Sequence, residues 1–469
     1  MTPYLFLLLF GSGLLFALVR HPIYGLYAYF LTFYLAPQDM WWRNDVPDIR
    51  YLLIAAVVTA IATLRLPADK NRTPFLKLPP VQLLLAFVIY VWLQTGWAIG
   101  VKDQIDLAFL LTKHFAVFYL IYRLADSPER IWTIALVHLV GCAWFGYQAL
   151  GASGGRLETI GGAVATSNKL GIHVATALLF GGLMFLTQSG VRRWLPFACV
   201  PLIANTLVMT ISRGAFLGFF CGGIAGFIAI PKRYRKGYIL CGVLAIILVV
   251  MLAHDGLVER FSETWRAVTT QEQELDRSAS SRKDIFRAGI AIGLEHPFGA
   301  GAKATERLSQ PYVPYYDHGR AAHNTVAEIF AEQGFPGLIL YLLMVWWAAR
   351  TTLRIRREYH SGEAASTEIA VMGAMVGAAL AAIYVAGNFT TNLELETQYW
   401  CLALLASIAA LQEASKSPVD EKEGAVGGET PPPSSRRTAI RQSDTPDNVR
   451  RTRPPRFNPG NRRHLSRPK

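Results

Sequence analysis

The chain has 469 residues, of which 52% are hydrophobic and only 17% charged, where about 25% charged residues is usual in soluble domains. With a mean hydropathy of +0.28 and a formal net charge of +13, this composition excludes an ordinary soluble enzyme and a disordered chain alike. It reads as an all-α polytopic membrane protein.

Apolar runs long enough to cross or nearly cross a hydrocarbon core follow one another near residues 4–19, 22–36, 51–64, 80–100, 107–124, 131–150, 170–186, 195–211, 215–230, 238–253, 326–349, 369–386 and 399–411. They predict about 11–13 transmembrane helices, the first two short enough to form a hairpin instead of two spans. The N-terminal Met-Thr-Pro carries no basic segment, and no small-residue cleavage site follows the first run, so this run is expected to be a retained span. The five cysteines all fall inside the runs and are expected to be small buried residues, neither a disulfide frame nor a metal site. Lys and Arg in short loops mark the cytoplasmic side. One alternate set of loops holds 17 of them and the opposite set, without its long loop, holds 7. The long loop 254–322 is therefore expected outside. From Glu413 the composition turns to Pro, Ser and Arg, with 13 Lys/Arg against 7 Asp/Glu. Residues 413–469 are expected to be a disordered basic tail near anionic lipid, and the high charge calls for no nucleic-acid partner.

Walker A, dinucleotide-binding, HExxH and paired CxxC motifs are absent from the sequence. Chemistry then has to come from polar residues at the outer face, and three places offer it. Ser212-Arg213-Gly214 interrupts a stretch of nearly two spans, which puts Arg213 at the edge of the bilayer, either snorkelling to headgroups or binding an anion. Further on, the outer loop runs Ser280-Ser281-Arg282-Lys283-Asp284 into an apolar-rich stretch, residues 285–294. A serine cap here predicts an amphipathic surface helix with Arg282 in its first turn and Arg287 one to two turns on. The third place is Ala322-His323-Asn324-Thr325, followed by Glu328 and Glu332-Gln333-Gly334-Phe335-Pro336-Gly337. Thr325 and Glu328 have capping-box spacing. His323 stands just outside the helix N-terminus, where an imidazole resists charging and suits a base near neutral pH.

The stretch Ala322-His323-Asn324 through Gly337 resembles the signature of the O-antigen ligase and O-antigen polymerase superfamily. Thr210-Ile211-Ser212-Arg213-Gly214 resembles its upstream motif, and Ser281-Arg282 through His296-Pro297-Phe298-Gly299-Ala300-Gly301 resembles the loop between them. Ala36-Pro37-Gln38-Asp39 more weakly resembles exosortase-associated O-glycosylation ligase-like members. The chain departs from the family pattern at Ser167-Asn168-Lys169, where paired Asn is frequent, and at Phe286, where Trp is common. The resemblance implies helices 1–160, a catalytic membrane domain 161–412 with its loop 254–322, and a C-type glycosyltransferase architecture. It implies a bacterial inner-membrane enzyme whose periplasmic site takes a lipid-linked glycan on undecaprenyl diphosphate and passes it to a glycan, lipid or protein acceptor. The expected catalytic residues are His323, Arg282 and Arg213, with Arg213, Arg282, Asn324, Arg287 and Lys169 binding substrate and neither metal nor cofactor required. Two arginines can hold a diphosphate leaving group bidentately while the histidine takes the acceptor's proton. A small-anion, bicarbonate-like transporter is the alternative from another class, although the internal repeats usual in transporters are missing. A structural scaffold would leave Arg213 without a purpose.

Overall fold

In a computed structural model, residues 2–67, 72–152, 156–157, 160, 164, 166–253, 257–259, 262, 277–313, 318–361 and 366–416 are described, with the backbone alone for 277–281. The expected basic tail from 417 onward and most of 254–276 lie outside the described residues. No strand occurs among the described residues.

The thirteen apolar runs each become a helix. In chain order they are α1 (Pro3–Val19), α2 (Ile23–Leu35), α3 (Tyr51–Thr63), α4 (Pro79–Leu93), α5 (Val101–Leu124), α6 (Pro128–Ala149), α7 (Ser167–Thr187), α8 (Gly190–Met209), α9 (Arg213–Ala229) and α10 (Arg235–Leu252), then, after the loop helices α11 (Arg277–Glu295) and α12 (Ala304–Leu308), α13 (Thr325–Ser361), α14 (Thr367–Ala386) and α15 (Glu396–Ala414). Among the described residues, 7 helices are long and apolar enough to cross a membrane. Others fall short of a full span by length: α1 and α9 have 17 residues and α3 has 13, against about 20 for a straight crossing.

Contacts between loops sort them into two ends. At one end Ile99 N–H donates to Ala300 O, Leu157 N–H to Met209 O and Thr325 N–H to Gly387 O. At the other, Arg65 reaches Ala17 O, Arg123 reaches Leu66 O, and Arg192 pairs with Glu129. Most of the Lys and Arg that the sequence assigns to the cytoplasm gather at this second end.

The closest helix pair is α9 on α14, and its cause is a stripe of glycines. A Cβ at Gly218 would lie 2.6 Å from Ala382 O, and one at Gly222 would lie 2.7 Å from Ala378 O. Small residues every fourth position let two backbones touch, which is how helices associate where no hydrophobic effect drives them together. Deeper in the bundle, polar residues lock four helices. Tyr34 OH lies 2.6 Å from His138 Nδ1 and 3.2 Å from His173 Nε2. His138 Nε2 meets Thr176 Oγ1 at 2.9 Å, and His173 Nδ1 meets Thr397 Oγ1. Thr176 spends its proton on His173 O, so it must accept from His138 Nε2–H. With both rings neutral, every later role is then fixed: Tyr34 donates to His138, His173 Nε2–H donates to Tyr34, and Thr397 donates to His173. The network ties α2, α6, α7 and α15 in one register with each polar atom satisfied, the condition under which buried polar groups specify a core.

Candidate active site

α13 is broken near its start. Gly334 has φ 65 and ψ −165, a region open essentially to glycine alone, and Pro336 has no N–H to offer. The carbonyls orphaned by the break are taken from outside the helix. Ala300 N–H donates to Ala331 O at 3.1 Å, Gly301 N–H to Glu332 O at 2.9 Å, and Phe335 N–H turns to Pro297 O at 2.9 Å. Gln94 Nε2 also donates to Glu332 O, and Gln104 Oε1 accepts from Ala302 N–H at 2.7 Å. The segments 296–301 and 332–337 are thus two halves of one joint. Its role is to hold the outer part of α13, and with it His323, at a fixed angle.

Helix α11 packs along that outer part. Ile285, Ala288 and Ile292 are buried, Gly289 abuts Ala327, and Gly293 abuts Phe330. Its apolar stripe is covered by α13, which corrects the expectation of a helix that buries this face in the membrane surface. The start is corrected too. The helix includes residue 277 onward, so Ser280 and Ser281 lie inside it and do not cap it, and Arg282 sits in its second turn.

The N-terminus of α13 also differs from the sequence reading. Asn324 is the cap: its Oδ1 accepts from Ala327 N–H at 3.0 Å while its Nδ2 donates to Asn388 O at 3.1 Å. Thr325 Oγ1 donates instead to Thr390 O at 2.9 Å and accepts from Asn392 N–H at 2.9 Å. No capping box forms, and Glu328 Oε2 is left buried without a hydrogen-bond partner. Thr325 N–H is used by Gly387 O at 2.7 Å, so the helix end offers fewer free amides to an anion than the sequence implies.

His323 has φ 47, a left-handed conformation that is uncommon outside glycine and concentrates at functional sites. The ring counts as exposed, yet it is shielded enough that lost hydration is the first cause holding its pKa below the ordinary 6.5, followed by the charges of Arg282 and Arg320. Both guanidinium charges therefore act on the imidazole. Arg282 is expected from the sequence; Arg320 is not, because one more arginine in a polar loop carries no signal until the fold places it.

Arg213 opens α9 behind its cap Ser212, whose Oγ accepts from Ala215 N–H at 3.3 Å. The residue before the cap, Ile211, has φ 48, a genuine outlier for a β-branched side chain. The strained turn is clamped by Arg156, which donates from Nε to Thr210 O at 3.0 Å and from Nη2 to Asn168 Oδ1 at 2.9 Å. Asn168 Oδ1 also accepts from Ser212 Oγ at 2.8 Å. Gly214 packs against Phe389, and the neighbouring Asn388 holds Asn324. The Arg213 turn and the His323 turn thus rest on the same loop, residues 387–395.

Two other residues expected at the site are engaged elsewhere. Arg287 faces solvent, with 68% of its side chain exposed, and lies 3.9 Å from Asp284. Lys169 pairs with Glu394 at 2.9 Å, so its charge is committed to the loop that supports the two turns. The possible metal donors are distant from these arginines in kind. His138, Cys142 and His173 offer ligand atoms within 4.8 Å of one another. All four ring nitrogens already have hydrogen-bond partners, and the Tyr34 hydroxyl occupies the space between them. This group fits a closed network better than a metal centre.

Residues 197–342, which contain Arg213, Arg282, Arg320 and His323, match the family model described as O-antigen ligase. No curated protein matches the chain.

Proposed function

We propose that this chain, whose residues 197–342 match the O-antigen ligase family model, is a member of that superfamily and transfers or polymerises a glycan from an undecaprenyl-diphosphate-linked donor at the outer face of the bacterial inner membrane, in the assembly of cell-surface polysaccharide such as lipopolysaccharide. The observation that carries this reading is that the His323 turn and the Arg213 turn rest on one loop, through Asn324 on Asn388 and Gly214 on Phe389, while the charges of Arg282 and Arg320 help hold the His323 pKa below its ordinary value. His323 takes the proton of an acceptor hydroxyl. The hydroxyl oxygen attacks the anomeric carbon from the face opposite the diphosphate, and the carbon–oxygen bond to the carrier breaks with inversion. Negative charge grows on the departing diphosphate, where Arg282 and Arg320, with Arg213 across the shared loop, supply preorganised bidentate donors. Arg156 and Asn168 act through the Arg213 turn as positioning residues. The break in α13 argues against the anion-carrier alternative: the carbonyls of Ala331 and Glu332 are filled by Ala300 and Gly301, whereas transporters leave such unwound backbone open to their cargo.

The test is transfer of a lipid-linked glycan by the purified protein. His323→Gln keeps much of the ring's shape and polarity but cannot act as a base, so it should fold, retain donor and lose about 10²–10⁴-fold in rate. Transfer should persist in EDTA. A His323→Gln protein as fast as the wild type overturns the base assignment.

A further inference from the structure

At the end of the bundle away from His323, two segments distant in sequence bring like charges together. The first is the start of α10 and its approach, with Lys232, Arg233, Arg235 and Lys236; the second is the last two turns of α13, with Arg356, Arg357 and His360. Both segments border α14: Tyr238, one turn past Arg235, lies with Ala378 against Gly226, and Thr352, one turn before Arg356, packs on the neighbouring Gly377; in keeping with this, lost hydration and then the charges of Arg356, Lys232 and Arg235 hold the His360 pKa below its ordinary value. Among the described residues the ion pairs at this end are Arg130–Asp126, Arg192–Glu129, Arg354–Glu413 and Lys416–Glu358, and none of them includes Lys232, Arg235, Arg356 or His360. Arg235 Nε and Arg356 Nε are moreover buried without a hydrogen-bond partner. A guanidinium nitrogen screened from water and left unbonded is costly, and one on each of two segments that border the same helix calls for an anion with several acceptor oxygens.

The surface next to these charges identifies the source of that anion. α10 has no buried residue along its whole length. Ile239, Leu240, Val243, Leu244, Ile246 and Ile247 are all exposed. On α13, Leu342, Leu343, Trp346 and Leu353 are exposed as well. A charged rim that opens onto long apolar walls fits a molecule with a phosphate at one end and hydrocarbon behind it. Arg235 also lies over the Phe227 ring at 5.2 Å, and Arg350 over Trp346 at 5.1 Å, which holds guanidinium planes at the boundary between rim and walls.

We propose that Lys232, Arg235, Arg356 and His360 form a binding site for the phosphate headgroup of an anionic phospholipid, whose acyl chains lie along α10 and the exposed side of α13. Basic pockets between membrane helices recognise such headgroups, and each added charge near the surface strengthens the attraction. The site is separate from the residues assigned to glycan transfer and does not depend on that assignment.

Native mass spectrometry of the full-length protein, released from nanodiscs of equal parts phosphatidylglycerol and phosphatidylcholine, reads the site directly. The wild type should retain phosphatidylglycerol selectively. Arg235→Gln/Arg356→Gln should lose about tenfold of that selectivity, while Arg192→Gln/Arg193→Gln, which removes two charges elsewhere at the same end, should not. Should the first variant fail to fold, Lys232→Gln/His360→Gln provides the same comparison. Equal retention of both lipids by the wild type, or undiminished selectivity in the variants, overturns the proposal. So does loss of bound phosphatidylglycerol on adding 10-fold excess inorganic phosphate at constant ionic strength, because a free anion would then be the ligand.

Discussion

A histidine that must accept a proton at neutral pH is helped by anything that disfavours its charged form. Around His323 that work is shared between lost hydration and the charges of two arginines, which makes Arg320 more than a surface charge. The sign is simple. The neutral ring is the active form, so transfer is lost as pH falls through the folded-state pKa, which lies below 6.5. Arg320→Gln removes one of the depressing charges and raises that pKa, so the acid limb of the kcat/KM profile should move to higher pH, while the plateau above neutrality falls because one proposed donor to the diphosphate is gone. An acid limb that stays in place, or moves lower, would show that Arg320 does not act on the base. At this scale the sequence is informative where a charge sits in an improbable place, as with Arg213 amid two spans or His323 outside a helix. It does not show the structural use of a polar residue: Asn324 caps α13, and Lys169 pairs with Glu394. Arg156 and Arg320 are legible only once the chain is folded, because a loop arginine looks the same whether it clamps a carbonyl or faces water.

At the scale of elements, the run Glu332-Gln333-Gly334-Phe335-Pro336-Gly337 reads from sequence as punctuation before a membrane helix. Its purpose is visible only with residues 296–301 laid against it. Sequence periodicity describes one segment at a time, and the partners here are more than thirty residues apart. Gly334→Ala places a side chain in a glycine-only conformation and against Pro297 O. It should cost about 2–5 kcal/mol, measured as a large drop in the unfolding temperature of the purified protein, and Ala substitution at Gly182, where a Cβ meets open space, should cost far less. Equal effects at the two positions would remove the joint from the account. The pairing of α9 with α14 is similarly hidden, since the stripe Gly214, Gly218, Gly222 and Gly226 is plain in the sequence but its partner is not. Helix order, in contrast, is written in the apolar runs, although several ends differ: α4 stops at Leu93 where the run continues to 100, α5 starts at Val101 ahead of 107, and α13 continues to Ser361 past 349.

For the whole molecule, the distribution of Lys and Arg predicts that the His323 end faces outward and the Arg-rich end faces the cytoplasm. Cysteines placed at Lys303 and at Arg193 should separate cleanly: an impermeant thiol reagent applied to intact spheroplasts labels the first, and labels the second only after permeabilisation. The reverse pattern would invert the protein and remove the proposed site from the outer face. Fold class and helix order are legible from composition and run length alone. The loop segment 254–276 is not, because neither its charge nor its periodicity selects one arrangement.

The joint around Gly334 has a consequence for how the chain can be divided. Gln94 and Gln104 lie far upstream of the family-matched region, yet they complete the hydrogen bonds of its broken helix, and Tyr34 closes the histidine network from the second helix. The matched segment is therefore a keystone without its arch: expressed alone, it should leave buried carbonyls unbonded and be degraded. Two fragments cut between residues 152 and 166 and made in the same cell should instead assemble, each supplying what the other's backbone lacks. Recovery of the downstream fragment by affinity capture of the upstream one, together with its disappearance when the upstream fragment is omitted, is the expected result. A downstream fragment that accumulates and unfolds cooperatively by itself would show that the first six helices are ornament to the site and not part of its frame.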